Sequence, residues 1–315
     1  MTGEQGGKGP KRPENVCEEE LQYWCGVCEE RVCVELEELG LEYPDDFWLC
    51  AKAYKKVVRA AKQRPDVLEC RFAKAIMTNS KIAVAVHYPE EVDWIINSIG
   101  RYTEDETRRL AKMWIKAAGV ALQEIEEIVR LKPDDLKFRW GKVEILTAMY
   151  ELTLCKGGVC KIKDRKMPVY LRGLPTSGRL SYGLAIPSIA LPEPARKYLE
   201  DVESELQEII RLGPGSYEAH ALRGLVLELL GRYADAVKEY DYAIGALREE
   251  LKRIKADFFK QVKDQALFED VDDVQDDQRD MLSPSQEIEL RLRNLNALMT
   301  ECVERKTEVL ERLNR

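Results

Sequence analysis

Three prolines, each placed to open a helix, constrain this chain more than any other feature. Residues 213–247 (GPGSYEAHALRGLVLELLGRYADAVKEYDYAIGAL) read as one helix–turn–helix unit. Pro214 opens it, and Gly224 falls where two antiparallel helices must approach closely. Gly231-Arg232-Tyr233 makes the turn, and Ala236 and Ala243 are the small contacts of the second helix. Such a unit cannot bury its apolar face alone, so the neighbouring chain must supply partner helices. Two earlier segments repeat the junction. Pro65-Asp66-Val67-Leu68-Glu69-Cys70-Arg71-Phe72-Ala73-Lys74 aligns with Pro133-Asp134-Asp135-Leu136-Lys137-Phe138-Arg139-Trp140-Gly141-Lys142. The shared pattern is P-D-x-L-x-x-R-[aromatic]-[small]-K.

The spacing of Pro214, Gly224, Ala236 and Ala243 resembles the tetratricopeptide repeat, well over 194–247 and more weakly over 44–87 and 104–154. The interval from Pro65 to Pro133 reads as two repeats of about 34 residues each. The longer interval from Pro133 to Pro214 reads as two repeats plus an insertion. The resemblance implies an all-α helical-repeat solenoid and a non-enzymatic interaction scaffold or adaptor, with another protein as partner. Members hold partner segments in a groove lined by first helices. By position, Tyr217, His220, Arg223 and Leu227 face that groove here. The Lys/Asn clamp that some members use for terminal carboxylates has no recognisable counterpart.

The expected organisation follows from periodicity and breaks in it. Residues 1–16 are polar and Gly-rich, read as a disordered tail without a signal peptide. Residues 17–154 form N-terminal helical repeats. One helix is expected from Val67 to about Val86, and another runs unbroken from a capping box at Thr103/Glu106 to Leu131. Residues 155–192 break the helical period with glycines and prolines and form an irregular insertion, with Cys155–Cys160 as a candidate β-hairpin tip. Residues 193–315 hold the repeat-like unit and a C-terminal pair of long helices. The last helix starts at Ser283-Pro284 and carries a heptad seam through Ile288, Leu292, Leu295, Met299, Cys302, Lys306, Val309 and Leu313. It is expected to fold back antiparallel on Leu247, Leu251, Ile254 and Phe258; intermolecular pairing stays open.

No apolar run approaches the length of a membrane-spanning helix. Net charge is −8, so the whole surface is no nucleic-acid footprint. Charged residues make up 34%, above the usual quarter, which suits long solvated helices and also a thermophile. The expected location is cytoplasmic. Local charge is less even. Residues 152–192 carry seven bases and one acid, so Lys161, Lys163, Arg165 and Lys166 are candidate contacts for RNA or an acidic partner. Nine cysteines leave three readings open: metal ligands, a redox pair, or buried thiols. Zinc is the candidate cofactor, with Cys25/Cys28 as one thiolate pair and Cys155/Cys160 as the other. The alternative function is therefore a zinc- or nucleic-acid-associated factor that displays the cysteine-rich N-terminal helix and the basic insertion. A DDxxD string at 272–276 resembles the magnesium–diphosphate motif of polyprenyl synthases, yet eight acids and one base over 264–280 read as a solvated acidic loop.

Overall fold

The computed structural model describes residues 43–91, 104–156, 191–265 and 284–314. Among these the chain is all-α, with nine α-helices and one 3-10 turn: α1 (Tyr43–Gln63), α2 (Leu68–Thr78), α3 (Lys81–His87), the 3-10 turn Pro89–Glu91, α4 (Glu104–Leu131), α5 (Leu136–Lys156), α6 (Glu193–Leu212), α7 (Tyr217–Leu229), α8 (Tyr233–Gln265) and α9 (Pro284–Leu313). The expected tail, residues 17–42, the expected insertion from 157 to 190 and the acidic stretch from 266 to 283 lie outside the described residues. No helix among those described is long and apolar enough to cross a membrane.

The three prolines build one junction three times. In each, the carbonyl of the residue before proline accepts from the amide three places on: Val67 to Arg64 at 3.1 Å, Asp135 to Lys132 at 3.3 Å, and Ser216 to Gly213 at 3.0 Å. Proline's fixed φ suits the second position of such a turn. The next helix then starts at once, with the Arg71, Arg139 and His220 amides donating to the carbonyls of Val67, Asp135 and Ser216, each at 3.2 Å. Asp135 and Ser216 also cap the new helix with their side chains, satisfying amides that have no intrahelical partner.

The helix after each junction packs on one long helix further along: α2 on α4, α5 on α6, α7 on α8. Between Pro65 and Pro133 the described residues hold α2, α3, the 3-10 turn and α4, with α2 packed directly on α4. The expected single helix from Val67 to Val86 breaks. Ser80 ends one helix and starts another, donating to the Met77 carbonyl at 2.6 Å and accepting from the Ala83 amide at 3.1 Å.

The basic residues of the shared pattern hold each pair together. Arg71 and Lys74 on α2 grip the two oxygens of Glu124 on α4, at 2.5 and 3.0 Å. Arg139 and Lys142 on α5 grip Glu205 on α6 in the same way, both at 2.7 Å. In the third pair His220 and Arg223 on α7 take the two oxygens of Glu239 on α8, both at 2.6 Å. Positions i and i+3 share a helix face, so two donors reach one carboxylate. Burial pushes the Glu124 carboxyl up, but the hydrogen bonds from Arg71 and Lys74 outweigh it and hold the group below the usual range. Around each clamp the second helix buries equivalent apolar side chains: Ala121, Ile125 and Ile128; Val202, Leu206 and Ile209; Ala236, Tyr240 and Ala243.

Small residues sit where helices touch. A Cβ on Gly141 would collide with the Phe72 ring, so α2 and α5 approach closely there. A Cβ on Gly224 would lie 2.8 Å from the buried Tyr240 ring. Gly231 has φ +78° and closes α7, with the Arg232 amide bonded to Leu227 and the Gly231 amide to Glu228, the Schellman arrangement that glycine favours. Gly224→Leu is expected to cost about 1–3 kcal/mol or more through overpacking. Urea denaturation checks this, and an unchanged midpoint would contradict the close contact.

α9 folds back antiparallel on α8: Arg291 near its start meets Glu250 at 2.6 Å, while Lys306 meets Asp241 at 2.6 Å. The buried seam is Leu295, Leu298, Cys302, Arg305 and Val309. It differs from the expected one by a step at two positions, and Leu313, expected to end the seam, is exposed. Arg305 takes the interior place because Glu228 lies beneath it, and Lys306 swings to the flank and its aspartate.

Candidate partner-binding groove

An open cavity of about 500 Å³ lies where α5, α7 and α8 meet. Trp140 of α5 forms one wall, and Gly215, Ser216, Tyr217 and Glu218 from the third proline junction form the floor. Ala246, Glu249, Glu250 and Arg253 of α8 complete it. The proline turn creates this space. It reverses the chain between α6 and α7 across 213–216, leaving small Gly215 and Ser216 beside the aromatic side chains. Glu250 is fixed by Arg253 and by Arg291 of α9. Glu249, among the described residues, pairs only with Lys252 on the exposed surface. The lining thus combines two aromatic rings, three carboxylates and one guanidinium.

The four residues expected to face a groove separate into three environments. Tyr217 lines the cavity. Leu227 is wholly buried in the core. His220 and Arg223 lie in the clamp network. The His220 Nδ1 faces Glu239 at 2.6 Å, its Nε2 faces the Pro214 carbonyl oxygen at 3.2 Å, and its ring stacks on the exposed Tyr242. Arg223 bridges Glu239 to Glu203. These two side chains are engaged in joining α6, α7 and α8.

Lys161, Lys163, Arg165, Lys166, Cys25, Cys28 and Cys160 lie outside the described residues, and Cys155 is described there only as part of the last turn of α5. Among the described residues no cluster of three or more His, Cys, Asp or Glu side chains could hold a metal ion. Cys70 is disulfide-bonded. Cys302 is a free thiol between α8 and α9, and burial pushes it up to about 12, so it stays protonated and packs as a small apolar group.

Glu144 stands apart. It lies on α5 one turn beyond Trp140, on the same face. It is only 4% exposed, and burial pushes its carboxyl up to about 8. No hydrogen bond or ion pair engages it among the described residues. Trp140, Glu144 and the clamp glutamates were not among the residues singled out from the sequence. The glutamates carry a readable signal: EIEEIVRLKP at 124–133 and ELQEIIRLGP at 205–214 match at six positions and align Glu124 with Glu205. No protein-family description matches this chain, and no curated protein is significantly similar to it.

Proposed function

We infer that this protein is a non-enzymatic interaction scaffold of tetratricopeptide-like type, which holds a segment of another protein in the α5–α7–α8 cavity. The observation that carries the reading is the cavity itself, set at a proline junction between two successive helix pairs. Its volume falls in the range of about 300–1,000 Å³ typical of ligand clefts, and its Trp and Tyr walls are the residue types enriched at binding hot spots. The repeated junctions, the three clamps and the α8–α9 hairpin support the solenoid reading. α9 covers the last pair as a terminal cap must.

Two of the polar side chains expected at the groove support binding over chemistry, because His220 and Arg223 are committed to Glu239 and Glu203 in the clamp network. A cytoplasmic location belongs to the same proposal. With the Cys70 disulfide it fits the intracellular proteins of hyperthermophiles, in which disulfides persist and charge-rich surfaces are common.

Site-specific photo-crosslinking tests the assignment. A photoreactive residue at position 249, on the cavity rim, is expected to trap a protein partner in cells. The same group at Val120, 55% exposed on α4, is expected to trap none. Equal labelling from both positions would remove the cavity from the account.

A further inference from the structure

We propose that the outer face of α9 pairs two copies of this chain, antiparallel, through a second apolar seam. Three large apolar side chains are exposed on this face: Val303 at 43%, Leu310 at 39% and Leu313 at 46%. With the half-buried Leu292 and Met299 they recur at steps of seven, four, seven and three, the spacing by which one helix meets another. Lys306, the basic residue within the stripe, is already turned to Asp241 at 2.6 Å. The polar side chains along the stripe are committed to their own helix. Asn296 donates to the Leu292 carbonyl at 2.9 Å, Thr300 to that of Asn296 at 3.0 Å and Thr307 to that of Val303 at 2.9 Å. Covering this face therefore takes water from few unmet donors.

The charges beside the stripe select a second copy as its occupant. Arg293, near the start of α9, is exposed and meets only the exposed Glu289, at 3.4 Å. Glu311, near the end, lies on the same flank of the helix. It is exposed and has no hydrogen bond or ion pair among the described residues. The helix dipole disfavours an acid in the last turn, so a cation brought there is favourable. With a two-fold axis beside Val303, Leu292 meets the partner's Leu313 and Arg293 meets the partner's Glu311, each contact made twice. A parallel pair would set Arg293 against the partner's Arg293, and like charges oppose association. A lipid surface fits less well, because Glu304 and Glu311 border the stripe where membrane-lying helices carry bases. The α5–α7–α8 cavity has no α9 residue in its lining, so the two assignments stand or fall separately.

Sedimentation equilibrium of the full chain over a dilution series tests this, and a monomer–dimer equilibrium is expected. Val303→Glu brings two carboxylates together at the axis and should raise the dimer Kd about tenfold or more. Helical content by circular dichroism should not change, because the position is exposed. Arg293→Glu and Glu311→Arg should each raise the Kd about threefold. Combined in one chain, they should return it to near the parent value, the signature of a direct contact between the two positions. A chain that stays monomeric at every concentration overturns the proposal, and so does a dimer that a folded Val303→Glu variant leaves intact. A dimer in which the double swap restores nothing overturns the antiparallel pairing. Should Val303→Glu lose helical content, the charge swap alone decides.

Discussion

Replacing Glu228 with alanine is expected to destabilise the C-terminal half of the protein by about 3–5 kcal/mol, the range for removing one partner of a buried ion pair. Glu228 is the point where α7, α8 and α9 converge. It accepts from the Tyr240 hydroxyl at 3.2 Å, from Arg305 at 3.5 Å and from Arg312 at 3.2 Å. Arg305 and Glu228 are each 4% exposed, so alanine would leave a guanidinium in the interior with its main counter-charge gone. Replacing both members with leucine should cost far less, since a buried pair often only offsets its own desolvation. Urea denaturation of the single and double variants checks this. A single variant that loses no stability would show that the pair is not buried as described.

The second large effect is a pH dependence at Glu144. Its carboxyl is raised by burial from an ordinary 4.5 to about 8. Between those values the folded protein keeps a proton that the unfolded chain releases, so stability falls as pH rises through this window. The loss is complete above about pH 8. Glu144→Gln mimics the protonated form and removes the dependence. The variant is expected to match the parent near pH 4.5. At about pH 9 it should be the more stable by a few kcal/mol, since each tenfold change in acidity is worth about 1.4 kcal/mol. Melting temperatures measured at both pH values decide it. A difference that does not change with pH would contradict the burial of this group.

Much of the fold was legible in the sequence because its punctuation is local. Thr103 and Glu106 forecast the start of α4, and the helix runs to Leu131 as its apolar period requires. Pro194 marks the first turn of α6, and Pro284 that of α9. The Pro-Asp pattern, with Pro214, located three junctions that share the same two backbone hydrogen bonds. What the pattern could not fix was pairing at a distance. The interval between Pro65 and Pro133 reads as two short repeats by its length, and the direct packing of α2 on α4 is a contact that spacing alone does not give.

The site was less legible for a related reason. A position on a helix gives the face of a side chain but not the neighbour that meets it. Arg223 and His220 were placed correctly on α7, yet Glu203 and Glu239 from two other helices claim them. Leu227 reads as a groove residue by spacing and is core because α8 closes over it. Trp140 was visible only as the aromatic of the repeated pattern, and its role at the cavity depends on the junction at Pro214, far along the chain. The seam of α9 shows the same limit: Arg305 and Lys306 are adjacent and both basic, and Glu228 selects which one turns inward.

The most direct test of the scaffold reading is the affinity of the crosslinked partner for an Ala246→Trp variant. Ala246 is half-buried on the α8 wall of the cavity, and an indole there fills the space without removing a clamp or a cap. Measured by titration calorimetry, the partner's Kd is expected to rise at least tenfold, about 1.4 kcal/mol, with helical content unchanged by circular dichroism. An unchanged Kd in a folded variant would contradict the assignment of this cavity as the partner-binding groove.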